Sequence, residues 1–111
     1  KFKQLCFSLN EGDTKLLLKK LAPTRLAKGD FKTAVEEAEA QGASAEDMRA
    51  LLGKGRAKKG MFEGNLEEGE LEIGQVTALF KKEQTVSEVM AELVADYRKA
   101  LAGLNNEANL F

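Results

Sequence analysis

No histidine occurs anywhere in this chain of 111 residues. Histidine is the commonest general base near neutral pH and the commonest metal ligand, so chemistry built on imidazole is excluded for this chain. The one cysteine, Cys6, cannot form an internal disulfide. It lies in the apolar stretch Leu5-Cys6-Phe7 and reads as a buried structural thiol in a reducing, cytoplasmic compartment. The longest apolar run is of the size of Leu16-Leu17-Leu18, far short of the roughly 20 residues that span a bilayer. Neither sign of charge is in excess: 17 basic residues stand against 18 acidic ones, for a net charge of −1. With the signs mixed along the chain there is no field to hold nucleic acid or an anionic membrane, and neither is expected as a partner. An initiating methionine is lacking too. The chain opens at Lys1-Phe2-Lys3 as if inside a helix, which carries the expectation of a piece of something longer.

What is present describes an ordinary globular chain, 43% hydrophobic and 32% charged, able to bury one modest core. Phe2, Leu5, Cys6 and Leu9 recur at the spacing of one helix face, and Asn10-Glu11-Gly12-Asp13 supplies a stop. Thr14–Lys19 reads as a short strand or extended segment, though its leucines alone would suit a helix equally, and Pro23 places a break near residues 22–24. Asp30 is positioned to cap a helix over 31–41 whose apolar face is Phe31, Ala34, Val35 and Ala38. Gly42 ends it, Ser44 caps the next helix over 45–52, and Gly53 closes that one, giving a helical hairpin over about 30–53. Six glycines between Gly53 and Gly74 predict an irregular segment over 53–74. Gln75–Lys82 reads as a helical turn or two. Thr85 and Glu88 form a capping-box pattern before a last helix over 86–103, in C-terminal helices spanning 75–104. Its apolar stripe includes Met90 and Tyr97, which read as core. The fold class expected is mainly α with at most one or two short strands.

Two segments invite a chemical reading. Gly53-Lys54-Gly55-Arg56-Ala57-Lys58-Lys59-Gly60 has the glycines and cations of an anion site. It fails the P-loop pattern, because Met61-Phe62 follows where Lys-Ser/Thr is required, so a solvated basic turn is the better reading. The acidic run Glu67-Glu68-Gly69-Glu70-Leu71-Glu72 lacks the ligand spacing of a calcium loop and any histidine, and reads as a solvated face paired with the basic turn. No metal site is expected. On composition and periodicity alone the chain is a small helical module, and a protein-interaction module is one functional class it fits.

The segment running from Gly55-Arg56-Ala57-Lys58-Lys59-Gly60-Met61-Phe62-Glu63-Gly64 through Leu71-Glu72-Ile73-Gly74-Gln75 resembles a late segment of the FMN-dependent nitronate monooxygenases, formerly 2-nitropropane dioxygenases. Glu11-Gly12-Asp13-Thr14 with Leu18-Lys19-Lys20-Leu21-Ala22-Pro23-Thr24-Arg25-Leu26 is similar to an earlier segment of the same flavoproteins, and the order is the family's. The resemblance covers about residues 3–102. The FMN-dependent enoyl-acyl-carrier-protein reductases are related flavoproteins, and a fragment of one is the alternative. The resemblance implies a C-terminal fragment of a parent whose (β/α)8 barrel holds FMN at the strand C-termini. Such a parent oxidises alkyl nitronates with dioxygen to carbonyl compounds and nitrite. Its flavin-phosphate glycines and catalytic histidine precede the matched region, so no catalytic residue transfers to this chain. Gly74 and Gln75, at the turn into the last helices, are the nearest candidates for a contact to the cofactor site. The chain alone is expected to be inactive and free of FMN. Its partners are expected to be the parent barrel or, in isolation, a second copy of itself.

Overall fold

The computed structural model describes residues 1–106. Its elements run α1 (Phe2–Ser8), β1 (Thr14–Leu17), β2 (Thr24–Ala27), α2 (Asp30–Ala40), α3 (Ala45–Leu52), α4 (Arg56–Met61), a 3-10 turn (Gln75–Leu79) and α5 (Val86–Leu104). This is the mainly helical chain with two short strands that the residue patterns imply. It divides into two compact units, one over Lys1–Lys81 and one that begins at Lys82.

In the first unit β1 and β2 pair antiparallel, with Thr14 opposite Ala27 and Leu17 opposite Thr24. The strand expected over Thr14–Lys19 stops at Leu17 because Leu18 turns to φ 56, and the Leu21 N–H then donates to the Leu18 carbonyl at 2.9 Å. Alternation along a strand would send Leu17 and Leu18 to opposite faces. The left-handed turn at Leu18 brings both into one core cluster with Leu26, Phe31, Val35 and Met48. A bulky residue in that conformation costs on the order of 1–2 kcal/mol, which burial of a leucine offsets. The strand β2 was not foreseen from its four residues, because its support is tertiary. Its free edge is covered by Leu71–Ile73, where the Ala27 N–H donates to the Leu71 carbonyl at 2.9 Å and the Ile73 N–H to the Arg25 carbonyl at 3.1 Å. Leu26 faces the main cluster, while Ala27 faces a second one with Leu9 and Leu71.

The helical hairpin is α2 and α3. Asp30 is not its cap: Gly29 is, and the Asp30 side chain lies within the first turn with no capping hydrogen bond. Its remaining contribution is a negative charge at the positive end of the helix. A Cβ at Gly29 would lie 3.2 Å from the Leu66 carbonyl oxygen, a tight approach that a small displacement would have to relieve. Before α3 the Ser44 hydroxyl accepts from the Asp47 N–H at 3.1 Å and the Asp47 carboxylate accepts from the Ser44 N–H at 3.0 Å. The Ser44 hydroxyl, which donates to the Asp47 carboxylate at 2.8 Å, and then the Ser44 N–H hold that carboxyl below the usual carboxylate range.

The segment expected to be irregular contains α4. Gly55 enters it at φ 74, and Gly60 on its inner face lies against Gly69. In the second unit, α5 starts at the expected capping box, with the Thr85 hydroxyl and the Glu88 carboxylate each accepting the other's backbone N–H at 3.2 and 2.7 Å. Met90 and Tyr97, read as core, are 51% and 66% exposed. Helical spacing locates an apolar stripe but does not say what covers it.

Candidate functional site

The Asn10–Asp13 turn builds one wall of a cleft of about 520 Å³. Gly12 at φ 89 makes the reversal, and the Asp13 carboxylate accepts from the Asn10 N–H at 2.8 Å and from the Lys28 ammonium at 3.3 Å. The Asn10 N–H, then the Lys28 ammonium, keep the Asp13 carboxyl below its ordinary range, so the turn is closed by an ionised group at neutral pH. Glu11, Gly12 and Thr14 line the cleft on this side. Arg25 rises from β2 and donates from Nη1 to the Thr14 hydroxyl at 3.0 Å and to its carbonyl at 3.3 Å. The opposite wall is the 3-10 turn, presenting Gln75, Val76, Ala78 and Leu79. The two walls are tied by Lys81, whose ammonium donates to the Leu9 carbonyl.

Gln75 therefore lines the cleft and is exposed to it. Gly74 does not: it lies in a separate shallow hollow with Pro23, Thr24, Glu72 and Ile73, and Arg25 borders both. The backbone of Gly74 is extended at φ −82, and a Cβ added there would meet Thr77 Oγ1 at 3.7 Å, an ordinary contact. Nothing in its geometry calls for glycine. Asn10, Glu11 and Arg25 were not singled out as site residues. Asn10 entered only as part of a helix stop, and Glu11 and Arg25 only as members of the earlier resembling segment; the pairing of β1, β2 and Leu71–Ile73 is what brings them to Gln75.

The glycine-lysine segment and the acidic run are paired as expected, through Lys59 and Glu68 at 3.2 Å. They are not uniformly solvated. Arg56 is half-buried, with its guanidinium over the Phe31 ring at 4.5 Å from the centroid, and Glu70 is 7% exposed. Burial, then the charge of Glu72 and the hydrogen bond that protonated Glu70 donates to it, push the Glu70 carboxyl up, while Arg56 opposes them. A carboxyl raised in the folded state holds its proton to a higher pH than in the unfolded chain. Stability therefore falls as pH rises through the interval between the two values, and the full cost persists above it. Glu70→Gln should melt at a higher temperature than the natural chain at pH 7, and the difference should vanish below about pH 4, where the unfolded carboxyl is itself protonated. Calorimetric melts across pH measure it, and equal melts at pH 7 would refute the assignment. Cys6, read as buried, is half-buried in α1, and partial burial pushes its thiol up, away from the reactive thiolate. Among the described residues no cluster of acidic or sulfur ligands has the arrangement of a metal site, and no helix is long and apolar enough to cross a membrane.

No family model matches the chain, and no curated protein sequence matches it. Solved structures do. FabK from Thermotoga maritima shares its fold with a TM-score of 0.75 at 23% identity, over 93% of this chain and 32% of that one. A point variant of the same protein gives 0.70 at 18% identity, over 93% of this chain and 30% of that one. The chain thus spans about a third of the length of the structures it is similar to.

Proposed function

We propose that this chain is the C-terminal part of an FMN-dependent oxidoreductase of barrel architecture, and that its cleft faces the substrate side of the flavin site. One observation carries the reading: the two sequence segments that resemble such flavoproteins, far apart in the chain, converge on one cleft through Glu11, Gly12, Thr14, Arg25 and Gln75. Within that group the shared fold with FabK favours the FMN-dependent enoyl-acyl-carrier-protein reductases. The nitronate monooxygenase reading rests on the sequence resemblance alone.

The chain's own residues do not fit the flavin phosphate. A phosphate needs convergent amide donors and unengaged cations. Here Arg56 is spent on three backbone carbonyls, Lys59 on Glu68, and Arg25 on Thr14, while Glu11 places a carboxylate in the cleft. The phosphate cradle belongs to residues outside this chain. What the chain supplies is a wall: the Gln75 amide as an adaptable donor and acceptor, and the exposed Val76 and Leu79 as an apolar surface for a substrate's alkyl part.

The protein that carries this chain, purified intact, should be yellow and should reduce an enoyl thioester with a reduced nicotinamide as electron source. Gln75→Ala should lower kcat/KM by about tenfold, the size expected for one lost polar contact. The chain alone, mixed with excess FMN and desalted, should retain no stoichiometric flavin band. A colourless intact protein would overturn the proposal, and nitronate oxidation without enoyl reduction would move it to the monooxygenase arm.

A further inference from the structure

We propose that the Gln75–Leu79 wall of the cleft is a flap, jointed at Gly74 and latched by Lys81 onto the end of α1, which closes over a bound substrate. The proposal rests on the reading of the cleft as substrate-facing and adds a moving part to it. The wall has two fixed ends. At one, the Ile73 N–H donates to the Arg25 carbonyl at 3.1 Å, and Ile73 packs against the cluster of Leu9, Ala27 and Leu71. At the other, the Lys81 ammonium donates to the carbonyl of Leu9, the residue that closes α1. The same ammonium lies 3.5 Å from Oδ1 of Asn10, a residue of the facing wall.

Between these ends little holds the turn down. Its backbone hydrogen bonds, from the Thr77 N–H to the Gly74 carbonyl at 3.2 Å and from the Phe80 N–H to the Thr77 carbonyl at 3.0 Å, run within the turn itself. No side chain caps it. Val76 and Leu79 are exposed, and Ala78 packs against the cluster around Leu9. Gly74 is exposed and extended, with only an ordinary contact to Thr77 beside it, so rotation there meets no packed neighbour. The chief restraint is then one charge-assisted hydrogen bond, to a carbonyl that the end of α1 leaves open. Gln75, Val76 and Leu79 ride on the flap and line the cleft with the latch made. Without the latch the closed form becomes a minor one, and apparent affinity falls with the fraction closed, by roughly tenfold for the loss of one such hydrogen bond. Saturating substrate draws the flap shut again, so KM rises and kcat holds.

Thiol labelling reads the latch without any need for activity. In the 111-residue chain carrying Cys6→Ser and Ala78→Cys, adding Lys81→Met should make the new thiol react with iodoacetamide about tenfold faster. Lys81→Arg, which keeps a donor, should restore most of the protection. In the intact protein, Lys81→Met should raise KM for the enoyl thioester by about tenfold and leave kcat within about twofold. A residue that merely supported folding would instead lower kcat at unchanged KM, as the active fraction fell. That result overturns the proposal, and so does a labelling rate that Lys81→Met leaves unchanged. An intact protein without enoyl reduction would refute the substrate-facing reading of the cleft, while the labelling would still decide whether the latch exists.

Discussion

Gly69→Ala should lower the stability of the first unit by about 3 kcal/mol or more, enough to unfold a marginal chain. An added Cβ would lie 2.2 Å from Gly60 Cα, 2.4 Å from the Asn65 carbonyl oxygen and 2.6 Å from Gly60 N. All three are backbone atoms, so no side-chain rotation relieves the overlap. The backbone cannot easily withdraw either. The Gly69 N–H donates to the Asn65 carbonyl at 3.1 Å, the Asn65 N–H to the Lys59 carbonyl at 2.9 Å, and the Lys59 N–H to the Gly55 carbonyl at 3.1 Å. Moving α4 away would also uncover Leu71, which is 3% exposed. Gly60→Ala should cost less, about 1–2 kcal/mol, because its shortest approach, 2.7 Å, is to the rotatable Leu71 Cδ2. Gly103→Ala, within α5 with nothing inside 4 Å, should be neutral or stabilising by up to about 1 kcal/mol. Urea melts of the three variants rank them, and a Gly69→Ala chain as stable as the natural one would show that the two backbones are not in contact.

How much of this was legible in advance depended on whether each signal was local. The ends of α2, α3 and α5 follow from Gly42, Ser44 with Asp47, Gly53, and Thr85 with Glu88, where capping chemistry acts within one turn. The end of β1 was misjudged because Leu16-Leu17-Leu18 carries no local mark of the left-handed turn that buries Leu17 and Leu18 together. The strand β2 and helix α4 escaped for one reason. Each is short and is held by Leu71–Ile73 or Gly69, residues far along the chain, so no window around either one contains its support. Asp30 had the right residue type for a cap, but the helix begins one residue earlier, with Gly29 at the cap and Asp30 in the first turn.

The cleft was half legible. Gln75 could be proposed because it opens the turn into the last helices. Its neighbours across the gap depend on Gly12 and on the Thr14–Ala27 register, which periodicity does not encode. The same limit applied to charge. Counting residues around Gly53–Gly60 gives a basic turn, yet its arginine and its lysines differ: Lys54, Lys58 and Lys59 are exposed, and Arg56 is drawn inward. Both are cations, but only the guanidinium presents donors in a fixed fork that several carbonyls can share.

That difference predicts the second large effect. Arg56 Nε donates to the Leu52 carbonyl at 2.8 Å and Nη2 to the Leu51 carbonyl at 3.1 Å, satisfying acceptors at the end of α3 that the helix itself leaves open. Nη1 donates to the Glu68 carbonyl at 2.7 Å, and the Arg56 carbonyl accepts from the Glu70 N–H at 3.0 Å. One side chain thus links the helical hairpin to the segment that covers β2. Arg56→Met removes three charge-assisted hydrogen bonds and the cation over the Phe31 ring, and should cost about 2–4 kcal/mol. Arg56→Lys should recover only part of that, since a point-like ammonium cannot reach all three carbonyls at once. Lys54→Met, at an exposed position nearby, should stay within about 0.5 kcal/mol of the natural chain. Loss of the guanidinium also removes a charge that lowers the Glu70 carboxyl, so in Arg56→Met that group should titrate still higher, as NMR of its side-chain carbons would record. A lysine variant with full stability would show that a positive charge suffices there and that the fork geometry contributes nothing.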